Sequence, residues 1–194
     1  LRTARSIGAD RICSLLSSDD STLWIGTGGA GLLRLNQESE EISHWLDANE
    51  VPLPGFPEVV MDIVESDSGH LWLATDTGIA RFDPKSEEIQ SWPLETGKPI
   101  VGFPENALSL QLGHHEGHQV LWVGTFYNGL AYFDIEQEQF APIEIPEQYR
   151  DELRFVRKVL QDRNGSLWLG TLKNLFRATL EQPAAPRFFK PGIE

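Results

Sequence analysis

The sequence predicts an all-β fold of the β-propeller class, with four consecutive four-stranded antiparallel blades. The first observation behind this prediction is a phrase of Leu, Trp, an aliphatic residue, Gly or Ala, and Thr. It occurs four times, at Leu23–Thr27, Leu71–Thr75, Leu121–Thr125 and Leu167–Thr171. Successive copies begin about 46 to 50 residues apart, which is the period of propellers and related arrays. The second observation is that apolar residues alternate with a period of two, which favours strands over helices.

Each copy contains four predicted strands. The first is apolar and covers Ile12–Leu16, Val59–Val64, Ala107–Leu112 and Phe155–Leu160. The second holds the Leu-Trp phrase. The third begins at a glycine in three copies and covers Gly31–Leu35, Gly78–Asp83, Gly129–Asp134 and Asn174–Ala178. The fourth is more polar, as expected at a water-facing sheet edge, and covers Glu41–Trp45, Glu88–Trp92, Gln139–Ile145 and Arg187–Lys190.

Two positions of the phrase predict how the blades stack. The small residue is expected to let the adjacent blade approach closely; this position is occupied by Gly26, Ala74, Gly124 and Gly170. The tryptophan is expected to fill the space between neighbouring sheets, since a single blade cannot bury its own faces. Residues 1–194 are therefore predicted to form a partial β-propeller, with blades at approximately 8–46, 56–93, 104–146 and 153–190.

The composition argues against several classes of partner. With 29 acidic against 16 basic residues, the formal net charge is -13 at pH 7, which disfavours nucleic acids and anionic membrane surfaces. The single cysteine, Cys13, cannot form an intrachain disulfide. No apolar run reaches the ~18 residues of a membrane-spanning helix. Any contact with a membrane is expected to run through segments that this sequence does not contain.

One propeller family matches the residues around the tryptophans. The copy at Ser66–Pro84 reads Ser-Asp-Ser-Gly-His-Leu-Trp-Leu-Ala-Thr-Asp-Thr-Gly-Ile-Ala-Arg-Phe-Asp-Pro. This copy, and the other three with local departures, resembles the two-component regulator propeller repeat over about residues 8–190. WD repeats do not fit, because an aliphatic residue follows Trp here. The Asp-box of sialidases is met in part by the second copy, and the other copies fit it poorly.

Members of that family form the extracytoplasmic sensor regions of bacterial hybrid histidine kinases and membrane-bound diguanylate cyclases. The resemblance implies a non-catalytic, ligand-sensing module of a transmembrane signalling protein, without a cofactor. It also implies a periplasmic location, as the sensor portion of an inner-membrane protein. Rings in this family have about seven blades, so four blades imply a fragment, and Lys190–Glu194 resembles the start of another repeat. We expect an open arc, or a ring completed by a second chain, rather than closure with four blades. The completing blades would come from the same protein or from a homodimer.

The predicted ligand-binding residues lie in the turns that follow the Leu-Trp phrase, because successive blades present these turns at one rim. Phe126 and Tyr127 could stack on the flat face of a small molecule such as a sugar, and Asn128 could hydrogen-bond to it. Asp76 and Lys173 would add complementary charge. The alternative is that all five are ordinary turn residues, with aromatic contacts to the next blade.

A histidine-rich segment, Gly113–His118, contains three imidazoles and a carboxylate, a set that could bind zinc or nickel. We predict no metal, because the segment is interpreted as an enlarged, solvated hairpin turn of the third blade. Arg34, Arg81 and Arg177 share one repeat position and are predicted to have a structural role, as contacts between blades. The sequence contains no Gly-x-Ser-x-Gly elbow and no His-Glu-x-x-His motif.

Two further classes of function remain open beside the sensor. One is a carbohydrate-active propeller, either a lectin or a sialidase-like glycoside hydrolase. The other is a protein-interaction scaffold. A carboxylate pair for glycoside cleavage cannot be selected from spacing alone, so the sequence predicts no catalytic residue.

Overall fold

The computed structural model of the protein describes residues 2–4, 11–47, 49, 51–94, 107–180 and 187–189. The chain divides into two compact units, Leu1–Glu95 and Thr96–Glu194. Each unit contains two antiparallel sheets, which confirms the predicted fold class. The predicted blade residues 8–10, 104–106 and 181–186, and the repeat start at Lys190–Glu194, lie outside the described residues.

Unit 1 contains sheets 1 and 2. Sheet 1 is formed by β1 (Arg2–Ala4), β2 (Ile12–Ser17), β3 (Thr22–Thr27), β4 (Leu32–Asn36) and β5 (Ile42–His44), in the order β1-β5-β4-β3-β2. Sheet 2 is formed by β6 (Val60–Glu65), β7 (Leu71–Thr75), β8 (Gly78–Phe82) and β9 (Ile89–Pro93), in that order. From β2 to β5 and from β6 to β9, each strand pairs with the next one along the chain, as in a propeller blade.

Unit 2 contains sheets 3 and 4. Sheet 3 is formed by β10 (Ala107–His115), β11 (His118–Thr125), β12 (Leu130–Asp134) and β13 (Gln139–Pro142). A connection follows, with a 3-10 turn at Glu147–Tyr149 and a one-turn helix, α1, at Arg150–Leu153. Sheet 4 is formed by β14 (Val156–Gln161), β15 (Leu167–Thr171), β16 (Leu175–Thr179) and β17 (Arg187–Phe189).

The strand β1 is absent from the sequence prediction. It pairs antiparallel with β5, with Thr3 opposite Ser43. β1 occupies the outer edge of β5, and all three residues of β5 are buried. The expectation of a polar, water-facing outer strand is therefore wrong for sheet 1.

Each sheet has a Trp face, on which the tryptophan of its Leu-Trp phrase lies, and an opposite, reverse face. In unit 1 the Trp face of sheet 1 packs against the reverse face of sheet 2. Trp24 and Leu32 of sheet 1 share a buried cluster with Val60, Ile63 and Phe82 of sheet 2. The Trp24 ring lies edge-on to Phe82, with the ring centroids 5.7 Å apart.

Unit 2 repeats this packing. Trp122 and Leu130 of sheet 3 share a buried cluster with Val156, Val159 and Phe176 of sheet 4. The Trp face of sheet 3 is thus covered by the reverse face of sheet 4. In both units the tryptophan fills the space between two sheets, as the sequence predicts.

Two glycines allow this close approach. A Cβ atom on Gly26 would lie 2.8 Å from the carbonyl oxygen of Val60, and one on Gly124 would lie 2.6 Å from that of Val156. Both separations are too short for a real Cβ atom, so the predicted role of the small residue is confirmed at these positions. At Gly170, by contrast, the nearest atoms belong to Lys158 at 3.8 Å.

Gln161 adds a polar link between sheets 3 and 4. Its side-chain oxygen accepts hydrogen bonds from the His114 backbone N–H at 2.9 Å and from the Trp122 indole N–H at 3.2 Å. Its side-chain nitrogen donates to the His114 carbonyl at 2.9 Å. The amide therefore pairs with β10 as a neighbouring strand would, at a point where the sheets meet through side chains.

The three arginines at one repeat position pack within their own sheets. Each lies directly opposite the tryptophan of the neighbouring strand. The guanidinium carbons of Arg34, Arg81 and Arg177 lie 5.9, 5.7 and 5.7 Å from the ring centroids of Trp24, Trp72 and Trp168. The contact with the tryptophan fits the predicted structural role, and it lies within one sheet because directly opposed residues on a sheet face are near neighbours. A contact between blades stays a prediction.

Candidate functional site

The candidate site lies in unit 2, where the turn after β11 meets the connection between sheets 3 and 4. The backbone N–H groups of Tyr127 and Gly129 donate to the Arg154 carbonyl at 3.0 and 3.2 Å. Phe126 forms an isolated bridge with Phe155. Main-chain contacts therefore hold the turn against the connection.

Three aromatic rings surround this junction. The ring centroids of Phe126, Tyr127 and Phe155 lie between 4.6 and 4.8 Å from one another. Tyr127 has a φ of 88°, a left-handed conformation that non-glycine residues rarely adopt. Such a conformation persists only where surrounding contacts hold it, and here the ring cluster and the hydrogen bond to Arg154 do so.

Buried side chains anchor the connection to the core of unit 2, and its exposed side chains carry charge. Leu153 is fully buried in the core of unit 2, and Tyr149 packs edge-on against Phe176 with the ring centroids 5.6 Å apart. Arg150 and Arg154 are exposed. The Arg154 guanidinium carbon lies 5.3 Å from the centroid of the Tyr127 ring, a cation–π contact.

An open groove of about 630 Å³ runs between the turn and the connection. This volume is typical of small-molecule sites. The side chains that give the groove its chemistry are Tyr127, Asn128, Ile145, Arg150, Asp151 and Arg154. Together they provide an aromatic ring, an amide and charges of both signs. Such a surface can stack on a flat solute and exchange hydrogen bonds with its hydroxyl groups.

The structure distributes the five predicted ligand residues over three turns. Phe126, Tyr127 and Asn128 lie together in the turn after β11. Lys173 is exposed in the turn after β15, where the neighbouring Asn174 side chain donates to Glu152 of α1. That turn is thereby joined to the same connection. Asp76 follows β7 in unit 1. A ligand role for these residues remains a prediction.

The connection residues Arg150, Asp151 and Arg154 are missing from the sequence prediction. Their contribution depends on the connection folding back over the turn after β11, which strand periodicity does not report. One local signal was present, because Pro146 is followed by Glu147 and then by residues compatible with a helix. A short helix between two strands would have placed these side chains at a blade junction.

The histidine-rich segment forms a tight turn rather than an enlarged one. Strands β10 and β11 extend to His115 and His118, which leaves Glu116 and Gly117 as a two-residue turn. Their φ values are 52° and 85°, and positive values at both positions are typical of hairpin turns that match the strand twist. The additional residues therefore lengthen the two strands.

The histidine side chains of this segment lie in different surroundings. His115 is buried and lies edge-on to Trp122 and Tyr132, with ring centroids 5.4 and 4.9 Å away. His118 Nδ1 lies 3.4 Å from a carboxylate oxygen of Glu136. The pKa of the neighbouring Tyr132 is raised, mainly by burial and to a lesser extent by nearby negative charges. Within the described part of the chain, no group of three or more potential ligand side chains could hold a metal ion.

Comparison with known proteins identifies the class of fold. The chain is similar to the extracellular domains of two hybrid two-component systems of B. thetaiotaomicron. For BT4673 the TM-score is 0.71 at 18% identity, covering 94% of this chain and 22% of that one. For BT3049 the TM-score is 0.70 at 20% identity, covering 94% and 24%. This chain therefore spans less than a quarter of the length of either.

The chain is also similar to virginiamycin B lyase from Staphylococcus aureus, with a TM-score of 0.69 at 17% identity, covering 97% of this chain and 58% of the lyase. No protein-family model and no curated protein matches the sequence. At these identities the likeness shows the propeller-type fold alone. Among the described residues, no helix has both the length and the apolar character needed to cross a membrane.

Proposed function

We propose that this chain is a ligand-sensing, non-catalytic part of the extracytoplasmic region of a bacterial transmembrane signalling protein. The observation that carries the proposal is the groove lined by Tyr127, Asn128 and Arg154. The likeness to extracellular domains of two-component systems supports it. The repeat resemblance adds the periplasm as the compartment, and a histidine kinase or diguanylate cyclase as the output.

The ligand is a small molecule with a flat face, and carbohydrate is the first class to test. The Tyr127 ring would stack on the sugar face, while Asn128 and Arg154 would hydrogen-bond to hydroxyl groups. Lys173 would contact this ligand from the turn after β15. Asp76 lies in unit 1, so a ligand contact there would belong to that unit's own turn after β7. Because α1 belongs to the groove wall, bound ligand would favour one position of the connection over another. That difference in affinity is what a signal requires.

A thermal-shift screen against mono- and oligosaccharides, followed by calorimetry on the hits, tests the proposal. We expect a saturable ligand whose affinity falls at least tenfold in Tyr127→Ala and in Arg154→Ala. Arg163→Ala is the matched control, because Arg163 is exposed in the hairpin after β14 and does not line the groove. A hit that keeps full affinity in both groove variants would place the ligand elsewhere. A screen without hits would exclude carbohydrate as the ligand class and would favour a role as a protein-interaction scaffold.

A second candidate function is enzymatic, as in a carbohydrate-active propeller. The groove contains the carboxylates of Glu144 and Asp151, and virginiamycin B lyase is an enzyme with a similar fold. Turnover of a bound saccharide, lost in Glu144→Gln or Asp151→Asn while binding persists, would replace the non-catalytic proposal. Binding without turnover supports the sensor.

A further inference from the structure

The first two strands of sheet 3 are longer than their counterparts. β10 contains nine residues and β11 contains eight, whereas the equivalent strands of the other sheets contain five or six. The extension places His115 directly opposite His118. Because every second side chain of a strand shares a face, His118 lies on the same face as Trp122, and His115 lies there too.

A small cavity of about 150 Å³ lies on this extended part of the Trp face. The strand registers place Asp134 and Tyr132 on the same face, opposite Val120 and Trp122 respectively. The residues that line the cavity belong to sheet 3 and its hairpin turns, so the cavity is formed within unit 2. The side chains that give it its chemistry are His115, Glu116, His118, Tyr132, Asp134 and Gln139.

The His115 side chain is buried in this cavity without a polar partner. The residue is only 7% exposed, and its rings of contact are Trp122 and Tyr132. Its imidazole nitrogens have no hydrogen-bond partner in the part of the chain that the structure describes. Buried polar groups of folded proteins are almost always hydrogen-bonded. The imidazole is therefore a group that a ligand in the cavity could satisfy.

The charge of the cavity is negative. Glu116 and Asp134 contribute carboxylates, and none of the described residues that line the cavity is Lys or Arg. Both carboxylates add to the effect of burial in raising the pKa of Tyr132, so their field reaches the phenol. The Asp134 carboxylate is held in place, because its Oδ1 accepts the Glu136 and Gln137 N–H groups at 3.0 and 2.9 Å. A fixed negative charge beside aromatic rings favours a cation.

The size and the ligand geometry of the cavity restrict the kind of cation. The potential metal ligands do not converge, since no set of three or more could hold a metal ion over the described residues. The volume is below the ~300–1,000 Å³ of typical drug-sized sites and equals roughly five water-sized groups of ~30 Å³ each. A primary ammonium on a short alkyl chain meets both limits. Its three N–H donors suit carboxylate and imidazole acceptors, and its methylene groups suit the aromatic rings.

From these features we propose that the cavity on the extended Trp face of sheet 3 binds a small alkylammonium ion. The ammonium group donates to the carboxylates of Glu116 and Asp134 and to the imidazole of His115, and the Tyr132 ring adds a cation–π contact. This is a second site, because the cavity and the groove share no lining residue. It is independent of the proposed carbohydrate ligand.

An NMR titration of protein with ¹⁵N-labelled histidine tests the site. Butylammonium chloride and 1-butanol are matched probes, because they have the same number of non-hydrogen atoms and only the first is charged. We expect butylammonium to shift the imidazole signals of His115 and His118 in a saturable manner. 1-Butanol, and sodium chloride at the same ionic strength, should leave these signals unchanged.

Two carboxylate variants test the role of charge. Asp134→Asn and Glu116→Gln should each raise the Kd for butylammonium by about threefold or more, since each removes one negative charge. Glu116 is exposed at the tip of the hairpin, so its variant makes little demand on the fold. Asp83→Asn is the matched control and should bind as the wild type. Asp83 occupies the same repeat position in sheet 2 and accepts the Lys85 N–H at 2.8 Å, but it does not line the cavity.

Four results would overturn the proposal. Equal shifts with 1-butanol would show that apolar contact rather than charge drives binding. Shifts of the same signals by zinc but not by butylammonium would make the cavity a metal site. Butylammonium binding that is unchanged in both carboxylate variants would place the cation elsewhere. Absence of a saturable shift at the highest soluble concentration would show that the cavity does not hold an amine.

Discussion

Two connections join adjacent sheets, residues 46–59 in unit 1 and 143–155 in unit 2. They share backbone hydrogen bonds to the preceding turn, but their side chains form different surfaces. The Gly31 N–H donates to the Glu58 carbonyl at 2.8 Å, and the Gly129 N–H donates to the Arg154 carbonyl at 3.2 Å. Each glycine has a positive φ, 66° and 72° respectively. The same turn is thus tied to the same part of each connection.

The side chains of the two junctions are used differently. In unit 1 Phe56 turns inward and stacks on Trp45, with ring centroids 5.9 Å apart and planes 7° apart. The turn above it is Gly28-Gly29-Ala30, which offers no large side chain. In unit 2 the turn carries Tyr127, and Arg154 packs on its ring at the groove. The two units therefore share the same backbone contacts, while the side chains of the connection close the core in unit 1 and line the groove in unit 2.

The strongest test of the shared frame removes the tryptophans. Trp24→Ala and Trp122→Ala should each lower the free energy of unfolding by about 3–5 kcal/mol, because each ring fills the space between two sheets. Trp168→Ala should cost about 1 kcal/mol, since the Trp168 ring is only half-buried. Denaturant unfolding of the three variants measures this order. Equal losses at Trp122 and Trp168 would mean that burial between sheets is not what stabilises the frame.

The glycines of the phrase sharpen the same point. Gly26→Ala and Gly124→Ala should destabilise by about 1–3 kcal/mol, because the new methyl group meets a carbonyl oxygen of the next sheet. Gly170→Ala is the internal control and should change the free energy of unfolding by less than about 0.5 kcal/mol. Thermal melts of the three proteins give the comparison. A neutral Gly124→Ala would contradict the close approach.

Gln161 tests a difference between the units. Gln161→Ala removes three hydrogen bonds between sheets 3 and 4 and leaves the Trp122 indole without that acceptor, so we expect a loss of about 1–3 kcal/mol. The equivalent residue of sheet 2 is the exposed Glu65, opposite Leu71 in the register. Glu65→Ala should be nearly neutral. A loss of similar size at both positions would show that the amide link is not specific to unit 2.

The smallest expected effect concerns the aspartates that close the first hairpin of a sheet in each unit. The Trp168 indole N–H, with further bonds from the Ser166 and Asn164 N–H groups, lowers the pKa of Asp162 below its usual 3.8. The Ser21 and Thr22 N–H groups lower the pKa of Asp19 similarly. A carboxyl whose pKa is lower in the folded state stabilises above its unfolded pKa. That contribution is lost as the pH falls through the folded pKa.

Acid titration should therefore destabilise the protein, and Asp162→Asn should reduce the pH dependence below the ordinary aspartate range. Because only Asp162 of this pair binds an indole, tryptophan fluorescence should follow its titration and should be insensitive to Asp19→Asn. An acid fluorescence change that is unaltered in Asp162→Asn would rule out this carboxylate as its source.

The sequence was sufficient for those features that repeat with the blade. The period and the alternation of apolar residues predict the strands, and the small residue of the phrase predicts the close approach at Gly26 and Gly124. The pairing of β1 with β5 joins segments about 40 residues apart by backbone contacts, and a three-residue strand has too little periodicity to be recognised.

Only part of the candidate site could be predicted from the sequence, for a related reason. Its aromatic turn breaks the repeat, so Phe126, Tyr127 and Asn128 stand out against the glycines of the first copy. Arg154 contributes through its contact with Tyr127 and through the fold of the connection. Neither this contact nor the fold of the connection can be predicted from the residues next to Arg154. Both depend on how sheet 4 packs against sheet 3.

The most direct test of the groove as the ligand site is hydrogen–deuterium exchange with and without a saccharide that binds in the screen. We predict protection at residues 126–129, 143–155 and 172–174, with no change at residues 28–31 and 46–59 of unit 1. Tyr127→Ala should abolish the protection at the same ligand concentration. Protection confined to the unit 1 connection, or unchanged in the variant, would contradict the assignment.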